Sequence, residues 1–177
     1  IGIFSILAIG LNWLITKFSQ YKYLTYSLFV IILIILSVRT IVRNIDWKNE
    51  DNLWIATGKT SPSSPNTHNN LGDVYGRQGD KQRALQEFMR AIELKPNYAD
   101  AFHNLANTYR ELGDYEKSLE NYQKAISFNP NLWQSYQNIA ALYFESKQYD
   151  KALEYIQNAI RINPKSLNLR TNLGILY

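Results

Sequence analysis

The sequence predicts an all-α protein in two parts: two hydrophobic transmembrane helices, followed by an α-solenoid of helix–turn–helix repeats. Two observations predict it. Pro62, Pro96, Pro130 and Pro164 follow one another at intervals of 34 residues. Proline has no backbone N–H and its ring clashes with the preceding turn, so at a fixed interval it punctuates a repeated helical unit. A period of this length marks stacked helix pairs. Second, Ile1–Thr16 and Tyr23–Val38 contain no charged residue. The 177 residues include no cysteine, which excludes disulfides, thiolate metal sites and a cysteine nucleophile.

The first part is residues 1–45, read as a transmembrane helical hairpin with helices at about 1–16 and 23–42. A helix needs about 20 apolar residues to cross the hydrocarbon layer. The second run reaches that length if it continues to Val42 with Arg39 snorkelling to the interface. The first run is expected to be cut short by the start of the chain, which begins at Ile1 rather than Met. A pair of buried helices in a soluble domain fits poorly, because soluble cores seldom carry a stretch as apolar as Leu28–Leu36. Trp13, Phe18, Tyr21, Tyr23 and Tyr26 gather near the link Lys17–Lys22, as an interfacial aromatic belt would. Of the net charge of +4, +3 falls in residues 1–60 and +1 in residues 61–177. The positive-inside count slightly favours a cytoplasmic repeat region. The near-neutral second part argues against a nucleic-acid surface.

Residues 46–64 are expected to form a capping helix and linker. Asp46–Gly58 reads as a polar helix with Leu53, Trp54 and Ile55 as its apolar contacts, and Thr60–Pro65 as a turn cluster. Counting back on the 34-residue grid places Trp54 opposite Phe88, Tyr122 and Ile156. The segment is therefore a half-repeat that starts the array.

Three full repeats follow over residues 65–164, at 65–98, 99–132 and 133–164, then the first helix of a truncated fourth at 165–177. With the proline as position 32, position 7 is Leu71, Leu105, Ile139 and Leu173, and position 8 is Gly72, Ala106, Ala140 and Gly174. Position 11 is Tyr75, Tyr109, Tyr143 and Tyr177; position 20 is Ala84, Ser118 and Ala152; position 24 is Phe88, Tyr122 and Ile156; position 27 is Ala91, Ala125 and Ala159. Positions 4, 7, 8 and 11 share one face of a first helix, and 20, 24 and 27 one face of a second. Small residues at 8, 20 and 27 allow close approach, and large ones at 7, 11 and 24 fill the remaining space. Gly79-Asp80 and Gly113-Asp114 end one helix and cap the next; Lys147-Gln148 is a weaker turn. The chain ends inside a unit, and an uncapped end is expected to expose Leu173, Ile175 and Leu176 until further repeats cover them.

These columns resemble the tetratricopeptide repeat, whose units stack into a right-handed α-solenoid. Position 4 departs from that pattern: His68, Phe102, Tyr136 and Arg170 stand where a large apolar residue is usual. The resemblance implies a protein or peptide ligand in a concave groove formed by the first helices. By position, the groove residues include Asn70, Asp73 and Arg77, then His103, Asn104, Asn107 and Arg110, then Gln137 and Asn138, then Asn172. Position 6 is asparagine in all four units: Asn70, Asn104, Asn138 and Asn172. An amide offers donor and acceptor together, so the ladder can hold the backbone of an extended peptide. The other reading is that these asparagines bond locally, or are a lineage habit of the repeat class. The groove lacks the lysine and arginine cluster that would clamp a free carboxylate.

His68 and His103 are the only histidines, and no carboxylate or serine set accompanies them at catalytic or metal-binding spacing. Glu50-Asp51 suits a helix N-terminus. There is no Gly-rich phosphate loop, and no cofactor is expected.

The stretch Arg43–Trp54, leading into Ser61–Gly72, resembles the C-terminal part of the transmembrane and tetratricopeptide-repeat-containing glycosyltransferases, relatives of protein O-mannosyltransferases. That resemblance implies an integral membrane protein with its repeats on the non-cytoplasmic side, against the charge count. It also implies repeats that present protein acceptors, with the catalytic acidic residues in loops outside this chain, so no catalytic residue is assigned. The alternative is a membrane-tethered scaffold without enzyme activity.

Overall fold

A computed structural model describes residues 9, 10, 13, 16, 17, 19–46 and 49–176. The described residues form nine α-helices and one short 3-10 turn, with no strand among them. The chain divides into two units, Ile1–Asn52 and Leu53–Tyr177.

The first unit is dominated by α1, Lys22–Asp46, preceded by the turn Ser19–Tyr21. Its stretch Tyr23–Val42 is the one helix among the described residues long and apolar enough to cross a membrane. The side chains of Leu28–Leu36 are all exposed. The hydroxyls of Thr25 and Thr40 donate to the carbonyls of Tyr21 and Leu36 at 3.2 and 2.8 Å, so two polar groups on this apolar helix are satisfied by the helix itself. The hydrophobic run 1–16 lies largely outside the described residues, where only positions 9, 10, 13 and 16 of it are seen, all helical. Lys17 places its ammonium 4.5 Å from the Trp13 ring.

Helix α2 is Glu50–Thr60, shorter at its start than the polar helix expected from Asp46. Asp46 instead ends α1. The new helix begins where Asn49 accepts a hydrogen bond from the Asn52 amide at 2.8 Å, an N-cap, with Glu50 and Asp51 in the first turn where the dipole favours them. Gly58 lets α2 approach the array: a Cβ there would lie 2.8 Å from Leu71 Cδ1.

The repeats then run as helix pairs. Helices α3, Pro65–Arg77, and α4, Lys81–Leu94, form the first. Helices α5, Ala99–Glu111, and α6, Tyr115–Phe128, form the second. Helices α7, Trp133–Glu145, and α8, Tyr149–Ile162, form the third, and α9, Leu167–Leu176, opens the next. All four spaced prolines do the same work. Ser64, Tyr98, Leu132 and Ser166 each donate their amide to the carbonyl three residues back, at 3.0–3.3 Å, which places the proline second in a four-residue turn, the position its fixed φ suits.

The turn inside each pair is also one motif. The amides of Asp80, Asp114 and Gln148 donate to the carbonyls of Tyr75, Tyr109 and Tyr143 at 2.8–2.9 Å, and the residue between is left-handed: Gly79 at φ 82°, Gly113 at φ 80°, Lys147 at φ 61°. This is the six-to-one closure that glycine normally serves. Asp80 and Asp114 then cap the following helix by accepting from the amides of Arg83 and Lys117, at 3.0 and 3.1 Å, whereas Gln148 makes no side-chain cap. Lys147 thus bears a left-handed cost that the other turns avoid. Lys147→Gly is expected to stabilise the third repeat by about 1 kcal/mol, read as a higher thermal midpoint by circular dichroism.

A second regularity lies beyond the apolar columns. Arg83, Lys117 and Lys151 each hold their cation over the position-11 tyrosine of their own repeat, at 4.9, 5.3 and 5.1 Å from the ring centre, so each pair of helices is stapled across its turn.

The core is built from nearest neighbours. Phe88 of α4 packs with Leu105 of α5, Tyr122 of α6 with Ile139 of α7, and Ile156 of α8 with Leu169 of α9. Position 4 explains itself in this frame. The inner units use aromatic stacking there, Phe102 on Phe128 at 5.5 Å and Tyr136 against Tyr155 at 6.2 Å. The outer units bond the preceding proline carbonyl instead: His68 Nε2 meets Pro62 O at 2.9 Å, and Arg170 Nη2 donates to Pro164 O at 2.7 Å. His68 also pairs through Nδ1 with Glu87 at 2.6 Å, so it bridges the linker to α4.

Candidate peptide-binding groove

The first helices, α3, α5, α7 and α9, bring the predicted groove residues into successive rows. Asn70, Asn104, Asn138 and Asn172 are all half-buried. Two of them are engaged by the preceding unit. Asn104 Nδ2 donates to Asn69 Oδ1 at 3.1 Å. Asn138 Nδ2 donates to Asn107 Oδ1 and to the Tyr122 hydroxyl, both at 3.0 Å. Tyr122 is completely buried, and its hydroxyl donates in turn to Asn107 Oδ1. Asn107, Tyr122 and Asn138 therefore close a three-membered polar ring between the second and third repeats. Burial pushes the Tyr122 phenol above its ordinary value, although the Asn138 hydrogen bond opposes this. Because Asn107 Oδ1 and the Tyr122 hydroxyl adjoin one another, one N–H of Asn138 is shared between them, and that hydrogen is spent on the fold.

His103 joins the same junction. Its Nδ1 shares a hydrogen bond of 2.8 Å with the buried Ser135 hydroxyl, and its ring lies 5.5 Å from that of Tyr122. Burial holds the imidazole below the ordinary histidine value, against the pull of Asp100, so His103 works here as a neutral hydrogen-bonding group.

Several charged side chains of this surface are paired within the protein. Arg77 binds Asp73 one turn back in α3. Across repeats, Lys81 binds Glu111, and Arg110 binds Glu145. These cross-repeat pairs were not foreseen from the sequence. Their signal is available there, because partners lie 30 and 35 positions apart, close to one period.

Among the described residues, cavities open on this surface between successive first helices. One, of about 210 Å³, lies between α3 and α5 and is lined by Asp73, Arg77, Asn104, Asn107, Thr108 and Glu111 among others. The second, of about 170 Å³, lies between α7 and α9 and contains Gln137, Ala141, Phe144, Asn172 and Ile175. The structure thus gathers Asp73, Arg77, Asn104 and Asn107 in one cavity and Gln137 and Asn172 in the other. Asn138, His103 and Arg110 hold adjacent repeats together. No group of three potential metal ligands occurs among the described residues.

Comparison with known proteins agrees with this architecture. The tetratricopeptide repeat profile matches residues 65–98, 99–132 and 133–166. Protein O-mannosyl-transferase Tmtc2 of Drosophila melanogaster is 30% identical over 100 residues, covering 56% of this chain and 10% of that protein. Protein O-mannosyl-transferase TMTC3 of Homo sapiens is 27% identical over 96 residues, covering 54% of this chain and 10% of that protein. The matched region thus spans about a tenth of the length of these relatives. The crystal structure of MamA superposes with a TM-score of 0.62 at 28% identity, covering 68% of this chain and 72% of MamA. The first repeat domain of Spaghetti (RPAP3), solved with the HSP90 peptide SRMEEVD, shares the fold at a TM-score of 0.61 and 16% identity, over 64% of this chain and 90% of that domain. With three consecutive units matched over more than half its length, the chain belongs to the tetratricopeptide repeat family.

Proposed function

We propose that this chain is the membrane-proximal repeat region of an O-mannosyl-transferase-like membrane protein, and that its groove holds extended segments of protein partners or acceptors. The observation that carries the reading is the order of parts. The apolar span Tyr23–Val42 precedes, within one short helix and a turn, a repeat array that aligns with two O-mannosyl-transferases. In this reading residues 1–16 supply a second span, and the repeats stand on the non-cytoplasmic side. Transfer chemistry lies elsewhere in the parent protein, and this chain positions what is modified. A repeat domain of the same fold, the first of Spaghetti (RPAP3), is bound to the HSP90 peptide SRMEEVD, which supports a peptide as the ligand.

The test is expression of the chain in sealed vesicles with the cytoplasmic face outward. The chain is expected to stay with the membrane after alkaline extraction, and its repeats to resist added protease until detergent opens the vesicles. Release at high pH rejects the tether, and digestion in intact vesicles rejects the sidedness. For the groove, fluorescence titration of the detergent-solubilised chain with labelled extended peptides is expected to saturate. Flat polarisation up to millimolar peptide rejects that part.

A further inference from the structure

The groove changes chemistry along its length. Position 9 of the first helices runs Asp73, Asn107, Ala141, Ile175, and position 12 runs Gly76, Arg110, Phe144. The N-terminal half is polar, and its charges at Asp73, Arg77, Lys81, Glu111 and Arg110 are consumed in the ion pairs described above, Arg110 with Glu145 of α7. The C-terminal half is apolar: Ala141, Phe144 and Ile175 stand there, and Phe144, inside a complete repeat, is 40% exposed. They flank the cavity of about 170 Å³, with the amides of Gln137 and Asn172 also in its wall.

We propose that this cavity is a side-chain pocket selecting an uncharged extended segment with one large apolar residue, such as leucine or phenylalanine. The proposal rests on the groove reading and specifies its ligand. Three features support it. The volume is close to that of the ~150 Å³ apolar cavity that accepts a benzene ring, so one such side chain fills it. Gln137 and Asn172 each carry an amide donor and acceptor beside the pocket, the pairing a peptide backbone needs on either side of its anchored residue. And a charged ligand would meet ion pairs already closed on themselves, so it would have to break one pair for each new one it makes.

The experiment compares three fluorescein-labelled heptapeptides of Ser, Gly and Asn with leucine, alanine or glutamate at the centre, titrated by polarisation against the full chain in detergent. The leucine peptide is expected to bind about tenfold more tightly than the alanine peptide, and the glutamate peptide no better than alanine. Ala141→Asp, which copies Asp73 into the pocket wall, is expected to bring the affinity for the leucine peptide down to that for the alanine peptide. Phe144→Ser serves as a second variant from the same wall, and circular dichroism checks the fold of both. Equal binding of the leucine and alanine peptides, tighter binding of the glutamate peptide, or a leucine preference that survives in both folded variants overturns the pocket and leaves groove binding standing. No binding of any of the three overturns both.

Discussion

Tyr122→Ala is expected to lower the stability of the repeat array by about 3–5 kcal/mol, the usual cost of deleting a large buried aromatic ring. Tyr122 is completely buried, and it packs with Ala106, Ile139 and Leu142 where the second repeat meets the third. A loss of this size is a large part of the stability of an ordinary domain. In a solenoid it falls on one nearest-neighbour interface, so unfolding in urea, followed by circular dichroism, should split into two transitions in the variant. Tyr122→Phe separates the hydroxyl from the ring. Phenylalanine is what Phe88 provides at the equivalent position of the first repeat, so the ring fits. The loss is expected to be about 1 kcal/mol, because the Asn138 amide and Asn107 lose a buried partner. A Tyr122→Phe chain as stable as the parent would show that the polar ring contributes nothing.

That ring marks the boundary of what the sequence made legible. The helix pairs, their apolar columns and the proline turns all follow from local rules, because each turn and cap is decided within a few neighbouring residues. The asparagine column was also visible, but its chemistry was not. Whether Asn138 faces a ligand or its neighbour depends on how closely one repeat seats on the next, and that is a tertiary quantity. Asn138 and Asn107 lie 31 positions apart, and His103 and Ser135 32 apart, so both contacts lie near one period but off the strict column. Asn107 stands at position 9 where its counterparts are Asp73 and Ala141, so the polar ring belongs to one junction only and no repeat pattern announces it. The departures at position 4 were visible as exceptions. Their reason, a hydrogen bond to the proline carbonyl in the outer units, needed the turn geometry. The sequence does not show where α2 begins, because the polarity of Asp46–Glu50 suits a helix as well as a break, and the cap that decides it is a single side-chain contact from Asn49.

Gly72→Ala is expected to destabilise the first repeat by about 1–3 kcal/mol, the range for overpacking a filled core. Alanine stands at this position in the second and third repeats, so a column of small residues alone predicts a neutral or favourable change, with alanine the better helix former. The packing decides otherwise. A Cβ on Gly72 would sit 2.5 Å from Phe88 Cε1 and 2.7 Å from Cδ1, and Phe88 is 3% exposed with little room to retreat. The third repeat solves the same contact with the opposite sizes, Ala140 and Ile156, both buried. The double change Gly72→Ala with Phe88→Ile copies that solution. It is expected to be more stable than the two separate losses added together, by at least about 1 kcal/mol in a double-mutant cycle measured by urea unfolding. Strict additivity would show that the ring and the missing Cβ do not share one space. A positive coupling would show that each repeat is free to divide its interhelical volume differently, provided the sum is kept.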